Sequence, residues 1–229
     1  MAAVTPEVIV FGVHVAAGVV ALLVGAVAMV TEKGGDRHRR AGRYYVGSMA
    51  VVVGTVPLIL AFDPTDFVRQ FLLLVAVFSG YLVFSGYRVL SRKRPTDGSD
   101  PVDRLAAGFV ILASLGMGVW GALLAIRGTQ IGVVLVVFGA IGGSIGGLDV
   151  ADFLNPDRRD PWLADHLLRM VGGYIATVTA VSVTNFVTLY PDVVPEVVAW
   201  LWPTAVGVPL IWYWQSKYAG VGPLAGVVG

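Results

Sequence analysis

The chain has 229 residues, of which 56% are hydrophobic and only 14% charged, with a formal net charge of +1. An average soluble domain carries about 25% charged residues, and one of this size could not bury so much apolar surface. There is no cysteine, which excludes disulfides, thiolate catalysis and cysteine-ligated metal centres.

Seven apolar stretches follow one another, each long enough to cross about 30 Å of hydrocarbon at 1.5 Å per residue. They lie near 8–30, 44–62, 67–90, 105–126, 131–153, 167–189 and 193–214. None alternates in polarity as barrel strands do, and open strands in lipid would leave backbone groups unpaired. The expected fold is therefore all-α: a polytopic transmembrane bundle of about seven helices forming one domain. The first span has no basic leader and carries Glu7 at its start, so it reads as a helix and not as a cleaved signal.

Lys33, Arg37, Arg39, Arg40 and Arg43 follow the first span, and Arg88, Arg92, Lys93, Arg94 and Arg104 surround the end of the third. Arg158 and Arg159 follow the fifth, Arg169 lies just inside the sixth, and Lys217 follows the seventh. Only Arg69 and Arg127 fall on the other side. The positive-inside rule then predicts an outer N-terminus, cytoplasmic basic loops and a cytoplasmic C-terminus, in a multi-pass protein of the cell membrane. Aromatic residues at both ends, among them Tyr44, Tyr45, Trp162 and Trp200, fit interfacial belts. The glycine-rich tail 218–229 is expected to be mobile.

In the fifth span, Gly139, Gly143 and Gly147 recur every four residues, as do Gly142 and Gly146. Such spacing lets helices approach closely, within the chain or against a second copy or membrane partner. In the seventh, Pro203 and Pro209 should kink the helix.

Ionisable groups inside a membrane are costly and mark candidate sites. His14 lies about 10 Å below the outer boundary by helix rise. Ser182, Thr184, Asn185, Trp202 and Thr204 are expected at that depth. Two readings stand: an imidazole satisfied by one of those side chains, or a functional group, whether a proton relay, a haem or metal ligand, or a ligand-binding group. A second cluster is expected at the cytoplasmic side. Asp149 and Asp152 end the fifth span on one face, His166 and Arg169 begin the sixth, and His38 of the DRHRR segment could join them. It reads either as an interfacial network in which Arg169 bridges an aspartate, or as a metal or proton site of His38, His166 and Asp149. No HxxxH or HExxH spacing supports the metal reading. His14 and His166 lie roughly 20 Å apart along the membrane normal, too far to share one metal or haem iron.

The segments GVHVAAGVVALLVGAVAM, HRRAGRYYVGSM, SGYRVL and HLLRMVGGYIATVTA together resemble a family of polytopic membrane proteins of bacteria and archaea. The resemblance covers nearly the whole chain. It implies a membrane fold, with His14, His38, Arg39, Gly42, His166 and Arg169 as signature positions, and it supplies no reaction. A bias to arginine over lysine and aspartate over glutamate also fits a prokaryotic source.

A retinal protein would need a lysine midway along the seventh span, and the nearest, Lys217, lies beyond it. Nucleic-acid binding has no support, because topology and anionic lipid explain the basic loops. Three functional readings remain: a protein that handles a small molecule, ion or proton within its bundle, a membrane-embedded metal- or haem-dependent enzyme, and an assembly scaffold built on the glycine-rich fifth helix.

Overall fold

A computed structural model describes residues 5–94, 96–155, 161–189 and 195–228. The described residues form helices and no strands. The helices are α1 (Pro6–Val30), α2 (Asp36–Phe62), α3 (Phe67–Arg88), α4 (Pro101–Ile126), α5 (Gln130–Leu154), α6 (Trp162–Leu189), α7 (Glu196–Trp214) and a short α8 (Ala225–Val228). Seven of them are long and apolar enough to cross a membrane, with mean hydropathy between 1.3 and 2.5 over their best windows.

Three helices begin four or more residues earlier than their apolar stretches. α2 begins at Asp36 instead of Tyr44, α4 at Pro101 instead of Leu105, and α6 at Trp162 instead of Leu167. Hydropathy marks where the hydrocarbon ends. A helix backbone pairs its own polar groups and can continue into the polar interface, carrying charged turns such as DRHRR with it. The start of α4 shows the local cause: Pro101 occupies the first helical turn, and the Asp100 backbone N–H donates to Asp103 Oδ2 at 3.0 Å.

The chain divides into two compact units, Met1–Gly80 and Tyr81–Gly229. In the first, α1 and α2 form a hairpin whose α1 face is made of small residues, Ala21 and Gly25, both buried. They meet a face of α2 that buries Ala41, Tyr45, Met49 and Val56. Tyr45 is thus a core residue, only 2% exposed, while its neighbour Tyr44 is 62% exposed and suits an aromatic belt. A step of about 100° around the helix separates the two, so adjacent tyrosines cannot share an environment. At the other end of the hairpin, Arg69 at the start of α3 pairs with Glu7 at 2.7 Å and donates to the Ile59 carbonyl at 2.9 Å.

In the second unit α4 and α5 form a second hairpin, α6 and α7 a third, and α5 also packs on α7. Phe138 of α5 meets Trp200 of α7 edge to face at 6.2 Å. Trp200, expected at the interface, is 5% exposed and belongs to this core. The outward face of α4 is apolar: Leu105, Phe109, Leu112, Val119, Leu123 and Ile126 are each at least half exposed. A continuous apolar face of this size suits lipid and not water. The tail folds back on the last turn, where the Leu224 N–H donates to Ser216 Oγ at 3.2 Å.

Candidate functional site

The densest concentration of charge lies in the second unit, where the end of α3, the start of α4, the end of α5 and the start of α6 supply it. Tyr81, Ser85, Arg88 and Arg92 recur at helical spacing along α3 and its short 3-10 extension, Val89–Ser91. Arg88 Nε donates to Asp103 Oδ1 at 2.8 Å, and Arg88 also pairs with Asp100. Arg92 is 5% exposed; its Nε lies 3.7 Å from Asp103 Oδ2, and its guanidinium sits 5.1 Å above the Phe153 ring.

Deeper in the same unit is a buried bidentate pair. Arg169 of α6 donates through Nη1 to Asp149 Oδ2 at 2.5 Å and through Nη2 to Asp149 Oδ1 at 2.8 Å. The two residues are 2% and 3% exposed. The Tyr81 hydroxyl donates to the same Asp149 carboxylate, and Asp165 lies 3.9 Å from Arg169. Gly86 makes the approach possible, since a β-carbon there would stand 2.8 Å from the Arg169 β-carbon. Beside this pair opens a cleft of about 230 Å³. Its wall includes Asp149 and Asp152 of α5, Asp165 of α6, Phe153, Arg92 and Arg104.

The sequence expectation for this cluster divides. Asp149 and Arg169 do meet, and Asp152 shares the cleft wall with Asp149. His166 turns elsewhere: its Nδ1 lies 2.9 Å from the Gly86 carbonyl, in the last turn of α3. His38 bonds the Ala28 carbonyl at 2.9 Å, in the last turn of α1. A carbonyl only accepts, so both rings carry a proton on Nδ1. Both histidines therefore cap carbonyls at helix C-termini, where a cationic or donor group is favourable. Among the described residues no three His, Asp or Glu side chains are grouped to hold a metal ion.

Tyr81, Asp103, Asp165 and Arg92 were not singled out from sequence, although the periodic stripe from Tyr81 to Arg92 and the Asp-Pro-Val-Asp start of α4 were legible signals.

His14 finds its partners on α2. Its Nδ1 lies 2.8 Å from Thr55 Oγ1 and 3.2 Å from the Val52 carbonyl. Thr55 donates its own hydroxyl to the Val51 and Val52 carbonyls, so its oxygen accepts from the imidazole. Of the α6 and α7 residues named with His14, Ser182 is buried. Thr184 donates to the Ala180 carbonyl, Asn185 donates to the Val181 carbonyl at 2.7 Å, and Trp202 is 39% exposed.

Seven membrane-capable helices, an apolar outer face and charge confined to helix ends and one buried cluster define an integral membrane protein. No family model, no curated protein and no solved structure matches the chain. The seven apolar helices fit the polytopic membrane fold that the motifs resemble; no match ties the chain to that prokaryotic family.

Proposed function

We propose that the chain is a multi-pass protein of the cell membrane, with its N-terminus outside, that handles a small molecule, ion or proton within its helices, at the Tyr81–Asp149–Arg169 cluster. One observation carries this reading: a carboxylate inside a membrane-spanning helix is locked by a buried arginine and a tyrosine, yet lines a cleft. An apolar pair of similar volume would hold α5 to α6 at least as firmly, because charges taken from water cost several kcal/mol each. Ionisable groups kept within spans accordingly mark substrate, ion or proton pathways. The positive-inside rule supports a position for the cluster near the cytoplasmic ends of its helices.

The other two readings gain less. For a metal enzyme, no three His, Asp or Glu side chains are grouped to hold an ion among the described residues. For a scaffold, the α5 glycines that touch α4 are already covered, and a partner helix or second copy would dock on the face of Gly147, which has nothing within 4 Å.

Flux into reconstituted vesicles tests the proposal. Vesicles holding the wild-type chain should dissipate an imposed pH gradient, or swell in a panel of small polar solutes, faster than protein-free vesicles. Asp149→Asn should remove the difference. Wild-type vesicles that match protein-free ones for protons and for every solute would overturn it.

A further inference from the structure

Among the described residues, the wall of the cleft beside Asp149 is sorted by charge. Arg92 and Arg104 come from the segment between α3 and α4 and from the start of α4, whereas Asp149, Asp152 and Asp165 come from α5 and α6. Asp97 is the exception in position, and its carboxylate closes its own turn by accepting from the Arg94 N–H at 2.9 Å. The charges of the wall are held before anything binds: Arg104 Nε donates to Ser99 Oγ at 3.0 Å, and Asp165 lies 3.9 Å from Arg169. Arg92 is held over Phe153 and beside Asp103, and Asp149 is held by Arg169 and Tyr81. Arg169, behind the wall, offsets Asp149, so the cleft presents both signs of charge.

A preorganised arrangement of this kind favours a molecule that carries both signs. A lone cation would meet the arginines and a lone anion the aspartates. At about 230 Å³ the cleft is smaller than the roughly 300–1,000 Å³ typical of drug-sized ligands, so its occupant is small.

We infer that the cleft binds a small zwitterion of the amino-acid type, its carboxylate toward Arg92 and Arg104 and its ammonium toward Asp152 and Asp165. This inference rests on the proposed function and names the class of molecule that the site takes.

Calorimetry on the purified full chain in nanodiscs tests it, with unbranched ω-amino acids of two to six carbons as probes and n-butylamine and butyrate as controls. At least one amino acid should bind about tenfold or more tighter than either control. Asp152→Asn and Arg104→Gln, both at the cleft wall, should each weaken that binding about tenfold at unchanged Tm. If either variant fails to fold, the comparison of ligands on the wild-type chain still decides. Butylamine or butyrate binding as tightly as the best amino acid overturns the inference, and so does the absence of binding by every amino acid. If Asp149→Asn still abolishes flux in that case, only the ligand class falls. If the wild-type chain supports no flux at all, the site itself falls.

Discussion

Each of the three histidines directs Nδ1 toward a backbone carbonyl, and two of them clasp the first hairpin. His38 holds the turn end through Ala28, and His14 holds α1 to α2 through Thr55 and Val52. A hydrogen bond between membrane helices contributes about 0.6 kcal/mol on average and at most about 1.7. His14→Ala should therefore lower stability by about that amount in a denaturant titration of the reconstituted protein. If the same variant leaves stability unchanged yet alters flux, His14 is a relay group and not a clasp. The Asp149–Arg169 pair behaves differently. Removing one partner strands a buried charge, so Arg169→Met should cost about 3–5 kcal/mol. Adding Asp149→Leu to it should restore much of the loss, because the stranded carboxylate is gone. Restored stability without restored flux would separate the functional role of the pair from its structural one.

At the scale of the element, glycine spacing matters most in α5. The sequence shows glycines four apart, but the glycines that approach α4 most closely are seven apart: Gly132, Gly139 and Gly146. A β-carbon on Gly139 would stand 2.8 Å from the Ser114 carbonyl, and one on Gly146 2.8 Å from the Val110 and Ile111 side chains. Facing Gly132 across the pair, Gly121 of α4 would bring its β-carbon within 2.8 Å of the Gly132 carbonyl. A seven-residue repeat keeps one face against a partner helix crossing at a shallow angle, as in left-handed bundles. Of the glycines that complete the four-residue row, Gly143 sits at the edge of that seam, 3.6 Å from the Ser114 β-carbon, and Gly147 lies off it. Gly139→Leu should consequently separate α4 from α5 and lower the yield of folded protein severalfold, while Gly147→Leu should be tolerated. Size-exclusion profiles of the two variants in one detergent would show the contrast, and equal behaviour would mean that the α4–α5 seam is not the stabilising contact.

Over the whole molecule, the distribution of arginine makes a topological statement that the absence of native cysteine renders easy to check. Glu32→Cys and Thr96→Cys lie in exposed turns of the basic loops, and Thr65→Cys and Thr129→Cys lie in exposed turns between the other helix ends. A membrane-impermeant thiol reagent added to intact cells should label the second pair and spare the first. Labelling of Glu32→Cys and Thr96→Cys from opposite sides would remove the odd number of helices between the termini and the assignment of a cytoplasmic cluster with it.

The number of helices and the apolar, membrane-compatible character of the chain were readable from sequence, because the cost of placing a backbone or a charge in hydrocarbon is large and local. The pairing of Asp149 with Arg169 was also within reach, since a short connection brings the end of α5 to the start of α6. What the sequence could not supply was the third partner of a residue. Tyr81 reaches Asp149 across 68 positions and His14 reaches Thr55 across 41, distances at which helical periodicity carries no information. Whether a tyrosine such as Tyr45 sits in a belt or a core, and which row of glycines forms a seam, depends on how each helix is rotated. Rotation is set by the packing of neighbouring side chains, and only the tertiary structure decides it.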